Sequence, residues 1–201
     1  MAENWVGMVD LSSDEFDGPD RWHCEEGWKT FASIGMRRFQ TANGTNGLEV
    51  AFVCLFDDEP ADPSETDVGL EAGTTFWLTN RGMKPFVKLL RAIGPMTSFD
   101  PASDEQIGEL LQAGYFRGRV QIETYEKNNG GEGTRANVAE FAPFDGDEDP
   151  SWSSLIEEAQ RHYHERMVKL EEARTKRAEA AHEADQPRRR RRKADPSDVP
   201  F

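Results

Sequence analysis

The chain has 201 residues, with 24 Lys+Arg against 38 Asp+Glu and a formal net charge of −14. Its apolar share of 36% and mean hydropathy of −0.76 are low for a wholly globular chain, while 10% aromatics is too many for a disordered acidic one, so a compact domain with unstructured extensions is expected. The longest apolar run, residues 50–56, falls far short of the ~20 residues of a membrane helix, no basic or apolar leader opens the chain, and Cys24 and Cys54 form neither a disulfide framework nor a zinc spacing, so a soluble cytoplasmic protein without a metal is expected.

Residues 1–25 read as an acidic arm, with Glu3, Asp10, Asp14, Glu15, Asp17 and Asp20 before the first base. From Trp28 the pattern becomes extended. Trp28, Ala32, Ile34 and Met36 share one face of residues 28–39, and Phe31, Ser33, Arg37 and Phe39 share the other. Asn43-Gly44 and Asn46-Gly47 are turn signals, and residues 48–56 read as a buried strand, so the two segments predict a long hairpin. Residues 57–71 hold seven acids and no base and read as a solvated loop. Residues 74–79 form a third strand. Residues 81–93 are helical, with Phe86, Leu89, Leu90 and Ile93 in one stripe, Pro85 near the start and Gly94 as the stop.

Ser103 to Gln106 reads as a capping box that opens a short helix through Leu111. Residues 115–127 and 135–141 form the fourth and fifth strands about the turn 128–131. Five strands with helical insertions predict a mostly β domain over residues 26–150, a five-stranded OB-like barrel. Residues 151–184 predict a long polar C-terminal helix capped by Ser151. Ile156, Tyr163 and Leu170 recur every seven residues, which makes only two heptads, so packing of the first half on the barrel is expected ahead of a homo-oligomeric stalk. Residues 185–201 lack apolar periodicity and read as a disordered tail.

Taken whole, −14 argues against nucleic acid, because a polyanion repels a polyanion. The charge is segregated, however. Residues 1–150 carry 28 acids and 12 bases, and 17 of the acids fall in residues 1–20, 57–71 and 145–149. The rest of that region holds 11 acids against the same 12 bases, so the strands are near neutral with acid hung around them.

The fourth strand puts Phe116, Gly118, Val120 and Ile122 on one face, and Tyr115, Arg117, Arg119, Gln121 and Tyr125 on the other, with Glu123 among them. Single-stranded nucleic acid needs π-faces for its bases and cations for its backbone. Tyr115, Arg117, Arg119 and Tyr125 offer both, and Lys29, Arg37, Phe39, Trp77, Lys127 and Arg135 complete the candidate set. Core packing is the simpler expectation for Phe31, Phe52, Phe76 and Phe116, and cross-strand pairing with Glu123 or Glu140 is the simpler one for the arginines.

The tail carries six consecutive cations, residues 188–193, and then Asp195, Asp198, Pro200 and Phe201 at its end. A Phe ring and carboxylates on a proline-stiffened tether suit a small apolar pocket rimmed by basic residues on a partner. This tip resembles the acidic C-terminal tip of bacterial single-stranded DNA-binding proteins, which ends in Asp-Ile-Pro-Phe. It departs from that pattern in having two acids and an arginine block directly upstream. Residues 28–144 are similar to a family of phage-encoded OB-fold single-stranded DNA-binding proteins. The matching segments are Lys88-Leu89-Leu90-Arg91-Ala92-Ile93-Gly94, residues 114–125 and residues 135–143. The resemblance implies an OB barrel that binds single-stranded DNA in the bacterial host cytoplasm, and a tip that recruits replication or recombination enzymes.

Signals for catalysis are poor. His162 and His164 do not face each other on a helix, His23-Cys24-Glu25 lacks partner spacing, and no phosphate-loop, HExxH or GxSxG motif occurs. No enzyme activity and no cofactor are expected. The competing reading is an acidic DNA mimic, or an adaptor acting on a nucleic-acid enzyme, motivated by the acid excess of residues 1–150.

Overall fold

The computed structural model describes residues 24–41, 43–58, 60, 66–126 and 132–192, with the backbone alone for 125, 126 and 177–192. The elements in chain order are β1 (Gly27–Gln40), β2 (Asn46–Asp57), β3 (Glu71–Trp77), α1 (Met83–Ile93), α2 (Asp104–Leu111), β4 (Tyr115–Glu126), β5 (Glu132–Pro143) and α3 (Trp152–Arg192). The chain divides into two compact units within α3, Met1–Gln160 and Arg161–Phe201.

The first unit is a five-stranded sheet closed into a ring in the order β1-β2-β3-β5-β4. Four contacts are antiparallel. The closing contact, β3 with β5, is parallel and brief, at Gly73 and Asn137, and is reinforced where Thr74 Oγ1 donates to Val138 O at 3.0 Å. The β1–β2 turn is held by Gly44 N donating to Thr41 O at 2.8 Å, and Gly44 takes a φ of +78°. Of the two Asn-Gly signals, Asn43-Gly44 is the turn, while Asn46-Gly47 already lies in β2.

Phe31, Phe52 and Phe116 fill the ring as one aromatic group with centroids 5.0–6.2 Å apart. Phe76 joins Phe86 of α1 and Phe141 of β5. The apolar stripe of α1 (Phe86, Leu89, Leu90) packs against β3, β4 and β5. Each such fully buried side chain contributes about 1.5–3 kcal/mol of transfer free energy. The four phenylalanines expected in the core are all 0–2% exposed.

Three local readings of the sequence change. The bulge between Ser33 and Gly35 leaves Ile34 as an extra residue and breaks the alternation of β1, so Phe31 and Met36 end up on the same core; the register shift between Thr30 and Phe31 leaves its extra residue, Leu55, on β2. Ile122, expected inside, is 42% exposed, because β1 begins opposite Val120 and the β4–β5 hairpin runs on past the ring. The helix expected to end at 184 continues to Arg192 and takes in arginines of the segment expected to be disordered. Arginine is a good helix former, and cations suit the negative end of the helix dipole. Residues 1–23 and 193–201 lie outside the described residues.

Ser103 caps α2, accepting from Gln106 N at 3.2 Å, but Gln106 Oε1 turns away and accepts from Asp100 N at 2.6 Å, so the capping box is half formed. The first turns of α3 lie on the outside of β1, where Ile156 and Gln160 line a cleft with Ala32, Ser33 and Tyr115. In the second unit, the Arg166 guanidinium stands 5.8 Å over the Tyr163 ring. Among the described residues, no helix is long and apolar enough to cross a membrane.

Candidate nucleic-acid interface

The ring separates the candidate residues into groups. Arg37, Phe39 and Trp77 come together on the outer face at the turn end of the β1–β2 hairpin. Phe39 and Trp77 both stand opposite Gly47, and Arg37 stands opposite Glu49. Gly47 is what permits the arrangement: a Cβ there would meet Phe39 Cζ at 2.3 Å, so the Phe39 ring lies across bare backbone. Phe39 is buried and braces Trp77 edge-on, with centroids 5.6 Å apart at 74°. Trp77 remains 40% exposed. The result is a fixed indole platform, with Arg37 beside it ion-paired to Glu49.

A second group lies on β1, β4 and β5. Arg117 stands 5.5 Å over the Trp28 ring and pairs with Asp58 at 2.9 Å. Arg119 pairs across the strands with Glu140 at 3.1 Å, and Arg135 pairs with Glu123 at 2.8 Å. Asn137 Nδ2 also donates to Glu123, at 2.9 Å. Burial acts to raise the Glu123 carboxyl, but the hydrogen bonds from Arg135 and Asn137 outweigh it and hold the group below the usual glutamate range. An open groove of about 620 Å³ runs past Trp28, Arg119, Gln121 and Ile122. At its edge the Ile122 amide donates to Glu26 Oε1 at 3.0 Å.

Trp28 and Phe39 are eleven positions apart on β1, roughly 35 Å of extended strand. The outer face between them is closed, since Ala32 and Ile34 are buried. The two groups are therefore separate surfaces and not one continuous track along β1.

Two candidates fall outside both surfaces. Lys29 is 1% exposed, inside the ring, between Asp57 at 2.9 Å and Asp67 at 2.7 Å. Burial acts to lower its ammonium, but the hydrogen bonds to Asp67 and Asp57 prevail and hold it above the usual lysine value. Asp67 also accepts from Glu25 N at 2.7 Å, so this clasp ties the start of β1 to the end of the acidic segment. Asp57 and Asp67, read as solvated loop acids, are interior residues for the same reason. Tyr115 packs edge-on with Trp152 at 5.2 Å and Phe144 at 6.2 Å, so its ring anchors the start of α3. Burial, with the Glu148 charge nearby, pushes its phenol up.

Beneath the ring end, Cys24 and Cys54 are both buried and free. A hydrogen bond to Cys54 and burial push the Cys24 thiol far above its usual range. Tyr125 stands opposite Gly133 on β4. Its side chain, Lys127, and the tip residues Asp195, Asp198, Pro200 and Phe201 lie outside the described residues.

The sequence reading missed Gly47 and Trp28 as site residues, and Asp58 as the partner of Arg117. Gly47 carried a signal, an Asn-Gly pair, but one that points to a turn. Trp28 was visible as a strand residue. Nothing local ties it to Arg117, 89 positions away. No protein-family model matches this chain, and no curated protein is found to be similar to it.

Proposed function

We propose that the chain is a single-stranded DNA-binding protein of the OB type. The strand would lie across the outer face of β2 and β3, and the tip residues Asp195, Asp198, Pro200 and Phe201 would recruit replication or recombination enzymes. The observation that carries this reading is the Trp77 platform: an indole held half-exposed on β3, braced by Phe39 over Gly47, next to the β1–β2 turn. OB folds use the face of strands 2 and 3 and the loop between strands 1 and 2 for oligonucleotides. The ring order β1-β2-β3-β5-β4, with α1 and α2 between β3 and β4, supports the same reading. Stacking on Trp77 supplies sequence-tolerant affinity, and the Trp28–Arg117–Arg119 surface supplies a second contact for a strand that leaves the first.

The test is a titration of the protein with oligo-dT at low salt, followed by Trp emission. Saturable quenching at micromolar protein or below supports the proposal, and no change rejects it. Removal of residues 194–201 is expected to leave the titration unchanged while abolishing capture of replication enzymes. Loss of DNA binding on that deletion would overturn the division of labour.

One observation favours the second reading, an acidic mimic or adaptor. Arg37, Arg117, Arg119 and Arg135 are each already paired with a carboxylate, so neither surface carries a large excess of positive charge. That reading expects no oligonucleotide binding and a complex with a basic nucleic-acid enzyme instead.

A further inference from the structure

A cleft of about 320 Å³ opens beside the Trp77 platform, between the end of the β1–β2 hairpin and the start of α2. It is lined by Arg38, Phe39, Gln40, Asn46, Ala102 and Asp104. This is the lower end of the ~300–1,000 Å³ range of small-ligand sites. Its polar groups are held in place. Gln40 Nε2 donates to Asn46 Oδ1 at 3.1 Å and to Gly44 O at 3.2 Å, so the two carboxamides are locked to each other and to the turn. The Gln40 carbonyl oxygen and the Asn46 amino group take no part in that network among the described residues and can face a ligand. Arg38 is committed, since it pairs with Asp104 and its Nη2 donates to Pro101 O at 2.7 Å. The Asp104 side chain is 56% exposed at the cleft.

A phosphate is a poor occupant, because Asp104 repels it and the one cation in the wall is already used. A flat, neutral ring with a donor and an acceptor on its edge fits better. We propose that this cleft receives one base of the bound strand and prefers bases with an exocyclic amino group, adenine and cytosine, over thymine. The proposal rests on the single-stranded DNA reading above and names what that site distinguishes.

Adenine and cytosine each place an amino donor beside a ring-nitrogen acceptor, whereas thymine offers a carbonyl acceptor at the corresponding position. The Gln40 carbonyl accepts from the amino group, and the Asn46 amino group donates to the ring nitrogen. The Asp104 carboxylate is a second acceptor for the amino group and meets the thymine carbonyls unfavourably. The platform and the cleft then divide the work: Trp77 stacks on any base, and the carboxamide pair reads the edge of a neighbouring one.

The experiment titrates the full chain with oligo-dA, oligo-dC and oligo-dT of equal length, each labelled for anisotropy. The proteins are the wild type, the Gln40→Ala/Asn46→Ala double variant and Trp77→Ala. The wild type is expected to bind oligo-dA and oligo-dC about fivefold or more tightly than oligo-dT, the scale of one good base-edge contact. The double variant is expected to bring the three affinities together. Trp77→Ala is expected to weaken all three while keeping their ratio. If the double variant fails to fold by circular dichroism, Asn46→Asp replaces it; this exchanges a donor for an acceptor and is expected to erode the same preference. Equal affinities in the wild type, or a ratio that survives the carboxamide variants, overturn the subsite and leave single-stranded DNA binding standing. A wild type that binds none of the three overturns both.

Discussion

Lys29 shows how one residue sets two properties of this protein. An ammonium inside an aromatic-lined ring is tolerable only because Asp57 and Asp67 close on it. Lys29→Met removes the cation and leaves two carboxylates buried without it. Loss of one partner of a buried pair typically costs about 3–5 kcal/mol, and urea unfolding is expected to show a loss on that scale. The pH dependence follows from the direction of the shift. A lysine held above its ordinary 10.5 in the folded state contributes stability that is fully present below 10.5, and loses it as pH rises through the higher folded value. The urea midpoint of the wild type should therefore fall at strongly alkaline pH, and Lys29→Met should lack that component of the fall. Trp77 is the residue on which the proposed function rests, and it also packs against Phe39. Trp77→Ala removes the edge contact with Phe39, worth about 0.5–1.5 kcal/mol, so the urea midpoint should fall modestly while the fold is kept. Loss of one stacked base should weaken oligonucleotide binding by about 1–3 kcal/mol, read by anisotropy.

Among the elements, β4 depends on a close approach. A Cβ on Gly118 would come within 2.6 Å of Val138 Cγ1 and 3.0 Å of Phe31. Gly118→Ala should therefore overpack the ring and lower stability by about 1–3 kcal/mol, measured by thermal or urea unfolding. This site also illustrates what the sequence made legible. The alternation of Tyr115 through Val120 placed Phe116, Gly118 and Val120 inside and Arg117 and Arg119 outside, because side chains on a strand alternate without regard to what the strand pairs with. The apolar stripe of α1 was legible for the equivalent helical reason. What alternation cannot carry is a bulge, and β1 has one at Ile34, so Phe31 and Met36 could not be assigned to one core by counting. Nor can it carry a partner distant in the chain. Lys29 looked like a surface cation because Asp67 lies 38 positions away, in a segment whose composition reads as loop. The grouping of Arg37, Phe39 and Trp77 required the register of three strands, and that register is fixed by the closed sheet as a whole.

At the scale of the molecule, Arg37, Arg117, Arg119 and Arg135 on the outer faces of the ring are each paired with a carboxylate, and this bears on how binding would respond to salt. A lysine or arginine with no protein partner that neutralises a phosphate of a single strand releases condensed ions, which steepens the salt dependence by about 0.7 per contact. The arginines here hold carboxylates as tethered counterions: Arg119 with Glu140, Arg135 with Glu123, Arg117 with Asp58. A phosphate that takes Arg119 strips it from Glu140, and the freed carboxylate draws a cation back from solution. Ion uptake on the protein then offsets ion release from the DNA. The slope of log K against log salt should be shallower than the number of phosphate contacts implies. Glu140→Gln should steepen it while raising affinity at low salt, as titrations between about 20 and 200 mM salt would reveal. In this way an acidic protein would keep its grip on a polyanion nearly constant as the ionic strength of its surroundings changes.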